Sequence, residues 1–208
     1  MSTVIKKVNG RVRVNENRKL QRRSVLIAAA ELFAKKGYAG TSLADVANVL
    51  DISRPALYYY FDTKEEILTS MVQEVTLSIM ELGESLSDNK LDPAATLHEL
   101  IKSNALLILN NAVLFKVIER SEEFFPEETA TVNARAKRAI FDKFKTTIER
   151  GIKTGHFRKM NPSVGAFAVL GLCNWSAWWY QPGGAMSDED VAAQLRSEER
   201  RVGKECRL

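Results

Sequence analysis

Residues 28–68 read AAAELFAKKGYAGTSLADVANVLDISRPALYYYFDTKEEIL, and this stretch decides the fold. Gly37 predicts the end of a first helix, and Thr41–Ser42 predicts the cap of a second one with apolar residues at three- and four-residue spacing. Ser53, followed by a proline in the first turn, predicts a third helix after a break of only three residues. Two helices joined by so short a turn, the second one short and amphipathic, are the sequence form of a helix-turn-helix.

Three adjacent tyrosines lie in the third predicted helix. At 100° per residue, Leu57 and Phe61 fall on one face of that helix, whereas Tyr59 points away from it and Tyr58 and Tyr60 flank it. If Leu57 and Phe61 face the core, Tyr59 is presented to solvent or to a partner. An exposed aromatic hydroxyl suits contacts with base edges or phosphate oxygens, so the pattern predicts a DNA-facing surface. Interdomain packing of Tyr58 and Tyr60 is the alternative.

Residues 28–68 resemble the DNA-binding domain of the TetR family of transcriptional repressors. The resemblance rests on the helix stop at Gly37, the Thr41–Ser42 cap, the compact turn and the LYYYF segment followed by Lys64. The turn position usually held by glycine in that family is Asp51 here. Aspartate tolerates the left-handed backbone conformation better than most residues, so we expect the turn to form.

The resemblance implies groove contacts from the third helix and phosphate contacts from its flanks. Arg54 near the helix tip is suited to pair with guanine, and Lys64 places a point charge at a helix start. Pairing with Glu65 or Glu66 is the alternative for Lys64. The residues predicted to contact DNA are Arg22, Arg23, Thr41, Ser42, Ser53, Arg54, Pro55, Ala56, Tyr58, Tyr59, Tyr60 and Lys64.

The charge distribution also favours a polyanionic partner. The 208-residue chain has a formal net charge of +4, but residues 1–23 carry eight lysines and arginines against one glutamate. The remainder of the chain is therefore mildly acidic. A basic arm next to a helix-turn-helix predicts an interaction with DNA, although such tails are also often merely solvated.

The rest of the chain predicts further helices and an all-α fold with two functional parts. A first helix over residues 19–36 precedes the helix-turn-helix, and Pro126, Gly155 and Pro162 mark breaks between later helices. The predicted organisation is a basic arm (1–17), a DNA-binding domain (18–64), a helical ligand-binding and dimerisation domain (65–196) that begins with a linking helix (65–87), and a tail of suspected non-native origin (197–208).

The sequence of the second domain contains fewer diagnostic motifs than that of the first. Its interpretation therefore rests mainly on the family resemblance. TetR-type chains resemble one another in a helical ligand domain whose last two helices form a four-helix bundle across a two-fold dimer. The residues predicted for this interface are Leu170, Leu172, Trp178, Trp179, Val191 and Leu195. Aromatic residues of this domain are predicted to line an apolar ligand cavity, although packing in the core is the commoner role for such residues. The predicted set is Phe115, Phe124, Phe141, Phe144, Phe167 and Trp175.

The sequence therefore predicts a dimeric transcriptional repressor that binds a palindromic DNA operator and is released by a small, largely apolar ligand. Residues 174–184, NWSAWWYQPGG, weakly resemble the TetR branch that responds to acyl-CoA thioesters in lipid and sterol breakdown. The alternative is an architectural or activating DNA-binding protein whose second domain only dimerises. No catalytic motif, cofactor motif or metal-ligand spacing occurs, so an enzyme is not predicted. No signal sequence or membrane span fits, and a cytoplasmic location is expected.

Overall fold

The computed structural model describes residues 20–85, 92–181 and 183–197. The predicted arm (1–17), most of the boundary loop and the tail after residue 197 lie outside the described residues. The described residues form an all-α fold, as predicted, with a 3-10 turn at Glu122–Phe124. The helices are α1 (20–36), α2 (Leu43–Val49), α3 (Arg54–Tyr58), α4 (Lys64–Ser85), α5 (Pro93–Asn110), α6 (Ala112–Arg120), α7 (Glu127–Lys153), α8 (Pro162–Trp179) and α9 (Asp188–Ser197).

Local caps fix where the short helices α2 and α3 begin. Ser42 accepts a hydrogen bond from the backbone N–H of Asp45, and the Asp45 carboxylate accepts one from the backbone N–H of Ser42. The hydrogen bonds from Ser42, together with Lys36, lower the pKa of Asp45 to about 2, so this carboxylate stays ionised at neutral pH. Ser53 caps α3 in the same way through the N–H of Ala56.

The turn between α2 and α3 uses the backbone conformation that the sequence predicts. Asp51 has a φ of +51°, the left-handed region in which glycine is the usual residue. The steric cost of that conformation is modest for aspartate. The chain reverses within three residues, and Ile52 donates its N–H back to the carbonyl of Ala47. The turn therefore forms without a glycine.

Helix α4 joins the two parts of the molecule because it packs in the core of each. In its first half, Ile67, Leu68 and Met71 are fully buried in the core that also contains residues of α1 and α3. Its second half reaches Leu82, which packs in the core formed by α5, α7 and α8. The middle of α4 also contacts α6 and α7, where Thr69 and Thr129 hydroxyls lie 3.1 Å apart. Movements of α6 or α7 can thus be transmitted to the helix-turn-helix.

The second part of the molecule is a bundle in which α5 packs against α7, α8 and α9. The turn after α7 brings Phe157 back over Gly151, and a Cβ at position 151 would overlap the Phe157 ring. Among the described residues, no single helix has the length and apolar composition of a membrane-spanning segment. Helices α5 and α6 meet those criteria only together, with a bend of 83° between them.

Candidate nucleic-acid interface and ligand cavity

Helix α3 presents one polar, aromatic face to solvent. Leu57 and Phe61 are buried, whereas Tyr58 is 50% exposed and Tyr59 is 63% exposed. The predicted contact residues at the helix start are exposed as well: Ser53, Arg54, Pro55 and Ala56. The helical geometry deduced from the sequence therefore holds, and six of the predicted DNA-contact residues share one accessible surface.

The third tyrosine is held differently from its two neighbours. Tyr60 is half-buried, and its hydroxyl donates a hydrogen bond to Oε1 of Gln21 on α1. Its ring meets the Tyr59 ring edge to face, with 5.1 Å between centroids. Tyr60 thus braces α3 against α1 within the DNA-binding domain. This contact differs from the interdomain packing considered as its alternative role.

Lys64 and Thr41 stabilise the corner between α1 and α2. The Lys64 Nζ donates to the backbone carbonyls of Tyr38 (2.7 Å) and Thr41 (2.9 Å) and lies 4.3 Å from the centre of the Tyr38 ring. The Thr41 hydroxyl is buried and donates to the carbonyl of Gly37. Both side chains therefore have structural roles in this corner, whereas Ser42 is exposed. Their contacts with phosphate remain a prediction.

The two arginines at the start of α1 are directed toward α4. Arg22 donates to the Ser70 hydroxyl (2.8 Å) and stacks over the Phe61 ring. Arg23 forms an ion pair of 3.3 Å with Glu74 and remains mostly exposed. Arg22 also lies 3.7 Å from a carboxylate oxygen of Glu66. Because both arginine charges are partly neutralised within the protomer, these residues are weaker candidates for phosphate contacts than the sequence suggested.

A cavity of about 290 Å³ lies between helices α4 to α8. Three of the aromatic residues predicted to bind a ligand line it: Phe115, Phe141 and Phe167. The rings of Phe141 and Phe167 are in contact, with 4.6 Å between centroids. The remaining apolar lining residues are Val75, Ile79, Leu107, Ile108, Ile118, Ile140, Leu170 and Gly171.

An ionic cluster lies at one side of this cavity. Lys137 pairs with Glu119 (2.8 Å) and with Glu122, and Asn133 also donates to Glu122. Burial lowers the pKa of Lys137, but the hydrogen bonds and the charges of Glu119 and Glu122 outweigh burial, so its pKa is raised overall. Lys137 is therefore a stable cation that is already bound to two carboxylates.

A buried amide lines another part of the cavity. Asn104 on α5 is 4% exposed, and its Nδ2 has no oxygen or nitrogen acceptor among the described residues. The Cys173 thiol on α8 interacts with this amide, and burial raises the pKa of Cys173 to about 11, so the thiol is neutral. Sulfur is a weak acceptor, which leaves the amide poorly satisfied.

Three of the predicted ligand residues do not line the cavity. Phe144 is completely buried in the bundle core, three residues from the lining residue Phe141. Phe124 lies in the 3-10 turn and packs on Tyr38 at 4.9 Å between ring centroids. Trp175 is 66% exposed and faces outward. Sequence periodicity alone does not distinguish core, cavity and surface positions of aromatic residues, which is why the predicted set is divided among all three.

The predicted dimer residues also separate into different environments. Leu172 and Trp179 are exposed, and with Val164 and Trp175 they form a stripe along α8 that we call the α8 apolar stripe. Leu170 lines the cavity, and Trp178 is half-buried beneath the Arg120 guanidinium. On α9, Val191 is buried in its own protomer and Leu195 packs half-buried against it, so Val191 is a weaker candidate for the interface than the sequence suggested.

The sequence did not single out Asn104 or the exposed Val164 as functional. An asparagine amid the apolar pattern of α5 was the available signal for a polar group in a cavity. For Val164, the sequence signal was its spacing. It lies one helical turn from other apolar residues that also fall outside the core-facing side of the helix.

Comparisons with known proteins match both parts of the chain. Residues 25–71 match the family model described as bacterial regulatory proteins, tetR family, and residues 90–197 match the tetracyclin repressor-like C-terminal domain. The HTH-type transcriptional repressor KstR2 of Rhodococcus jostii is 26% identical over 179 residues, which cover 85% of this chain and 88% of that protein.

Two solved structures show the same architecture. The TetR family regulator PfmR of Thermus thermophilus is 28% identical with a TM-score of 0.76, over 86% of this chain and 97% of that one. AibR in complex with isovaleryl coenzyme A and operator DNA is 25% identical with a TM-score of 0.71, over 85% and 96%. The two family models together span the helix-turn-helix and the helical bundle, and the chain belongs to the TetR family of DNA-binding transcriptional regulators, which are not enzymes.

Proposed function

We propose that this protein is a cytoplasmic repressor that binds a palindromic operator as a homodimer and leaves it when a small, largely apolar ligand enters the cavity. The exposed face of α3 carries the proposal, because Arg54, Tyr58 and Tyr59 extend from a rigidly capped helix. The second helix of a helix-turn-helix enters the major groove with its N-terminal residues toward the bases. Arg54 is the first residue of α3 and is therefore placed for base contact.

The cavity favours ligand control over a purely dimerising second domain. Its lining is mainly apolar with a few polar groups, which is typical of small-molecule sites. AibR is a relative whose structure contains isovaleryl coenzyme A and operator DNA, which supports an acyl-CoA thioester as one candidate ligand. A volume of about 290 Å³ suits a short acyl group, so the coenzyme portion would have to extend through the cavity mouth.

A chain of contacts connects the cavity with the helix-turn-helix. Glu119 lines the cavity on α6 and shares Lys137 with Glu122, which begins the 3-10 turn after α6. In the same turn, Phe124 packs on Tyr38, whose carbonyl is held by Lys64. A ligand that displaces α6 would move this turn against the DNA-binding domain. Release of DNA requires the ligand to prefer that second arrangement over the DNA-bound one.

Substitution of Arg54 tests the DNA-binding proposal. Fluorescence anisotropy would measure the affinity of the wild-type protein for an operator selected from random duplex DNA, at two or more salt concentrations. Arg54→Ala is expected to weaken operator binding by about 1–3 kcal/mol, roughly 5- to 150-fold, because a bidentate base contact is lost. Arg138→Ala is the matched control, because Arg138 is exposed on α7 and pairs with Asp142 far from α3. Equal affinities of the Arg54→Ala variant and the wild type would contradict the placement of α3 in the groove.

A further inference from the structure

The polar groups of the cavity differ in what they offer a ligand. The Lys137 cluster combines one positive with two negative formal charges, so it provides no net positive charge for an anionic head group. Asn104 is uncharged and almost fully buried, and within the described part of the chain only the weakly accepting Cys173 sulfur is close to its Nδ2. A buried donor without a strong acceptor costs stability, and a ligand oxygen that accepts from it removes that cost.

We propose that the part of the ligand held in this cavity is an uncharged carbonyl group on an apolar body, and that its carbonyl oxygen accepts a hydrogen bond from the Asn104 amide. The inference rests on the proposed function, since it assumes that the cavity holds the effector. Asn104 lines the cavity, and its amide can present its N–H₂ to a ligand there because rotation exchanges the amide nitrogen and oxygen. The apolar body then contacts Phe115, Phe141 and Ile108.

The same chemistry excludes a free carboxylate as a preferred ligand. A carboxylate next to Glu119 would lose its hydration without gaining a free cation, because Lys137 already binds two carboxylates. The Cys173 thiol beside Asn104 is neutral and buried, so it offers an anion no charge to pair with. Free ketones, esters and the acyl end of a thioester share the required group, an uncharged carbonyl.

Three matched probes test the proposal on the full chain: 4-phenylbutan-2-one, 3-phenylpropanoate and n-butylbenzene. They share a phenylethyl body and differ in a ketone, a carboxylate and a hydrocarbon end. Affinities follow from the rise of Tm with probe concentration. The wild-type protein is expected to bind the ketone about tenfold more tightly than either of the other two probes, the difference that one added hydrogen bond makes.

Asn104→Leu identifies the responsible group. This variant is expected to lose the ketone preference and to bind the hydrocarbon at least as tightly as the ketone, because the buried carbonyl no longer gains a hydrogen bond. Its hydrocarbon binding reports that the cavity is intact. Asn104→Ala serves the same purpose if Asn104→Leu does not fold. Asn110→Leu is the matched control and is expected to keep the tenfold preference, because Asn110 is an exposed residue at the end of α5.

A fourth probe, 3-phenylpropanoyl-CoA, separates the two sources of a carbonyl. Binding tighter than that of the ketone, lost in Asn104→Leu, would assign the carbonyl to a CoA thioester, whereas binding of the ketone alone would assign it to a free carbonyl compound. A ketone preference that survives in Asn104→Leu, or a carboxylate that binds as tightly as the ketone, would overturn the proposal and leave a ligand-binding cavity in place. Failure of all four probes to bind the wild-type protein would overturn the proposed ligand response as well.

Discussion

Replacement of Phe144 by alanine is expected to lower the free energy of unfolding by about 3–5 kcal/mol, because a completely buried aromatic ring is removed from a close-packed core. Phe144 packs with Leu100, Ile148 and Val169 where α5, α7 and α8 meet. The void left behind would be closed only in part, since these neighbours are fixed on three different helices. Denaturant unfolding followed by circular dichroism at a fixed protein concentration would measure the change.

Phe167→Ala is the matched control for this prediction. Phe167 was grouped with Phe144 by the sequence, but it is 66% exposed, lines the cavity and has its ring in contact with that of Phe141. We expect the same substitution there to change the free energy of unfolding by less than about 1 kcal/mol. Equal losses at the two positions would contradict the assignment of Phe144 to the core and of Phe167 to the cavity wall.

The phenylalanines of the core and of the cavity wall show what a local sequence pattern cannot predict. Helix starts and stops were predictable because caps, glycines and prolines act within a few residues: Ser42, Ser53 and Asp51 behave as local chemistry predicts. Phe141 and Phe144 lie three residues apart on α7, and both satisfy the same apolar periodicity. Whether the space beside each ring is filled or empty depends on side chains from other helices, which a local pattern does not contain.

Lys64 shows the same limit for a charged residue. A lysine at a helix start beside a helix-turn-helix matches the pattern of a phosphate ligand. In the structure, the Lys64 ammonium group donates hydrogen bonds to the backbone carbonyls of Tyr38 and Thr41. These two residues lie 26 and 23 positions earlier in the chain. Only the packed corner between α1 and α2 brings them together, so its structural role emerges from tertiary contacts rather than from spacing.

The α8 apolar stripe has the composition of a protein interface. Trp175 and Trp179 are half or more exposed, with Leu172 and Val164 on the same side of the helix. Tryptophan is enriched among residues that dominate binding energy at interfaces, and exposed apolar patches of this kind mark association sites. In the proposed dimer, α8 of one protomer packs against α8 of its partner, and the two-fold symmetry buries two copies of Trp175.

Trp175→Glu is therefore expected to weaken dimerisation by about 2–4 kcal/mol, roughly 30- to 900-fold, because it removes a large apolar contact and buries a charge. Sedimentation velocity across a dilution series would measure the monomer–dimer equilibrium. Leu77→Glu is the matched control, since Leu77 is a similarly exposed apolar residue on α4, away from the stripe. A Trp175→Glu protein that dimerises like the wild type would rule out the α8 apolar stripe as the interface.

The same variant links the interface to DNA recognition. A palindromic operator presents its half-sites about 34 Å apart, and only a dimer places two α3 helices in successive major grooves. A folded Trp175→Glu monomer keeps Arg54 and Tyr59 on its surface but engages one half-site at a time. We expect anisotropy titrations to show a near-complete loss of operator affinity with little change in binding to non-specific DNA at low salt. Unchanged operator affinity in a proven monomer would instead mean that one α3 helix is sufficient for recognition.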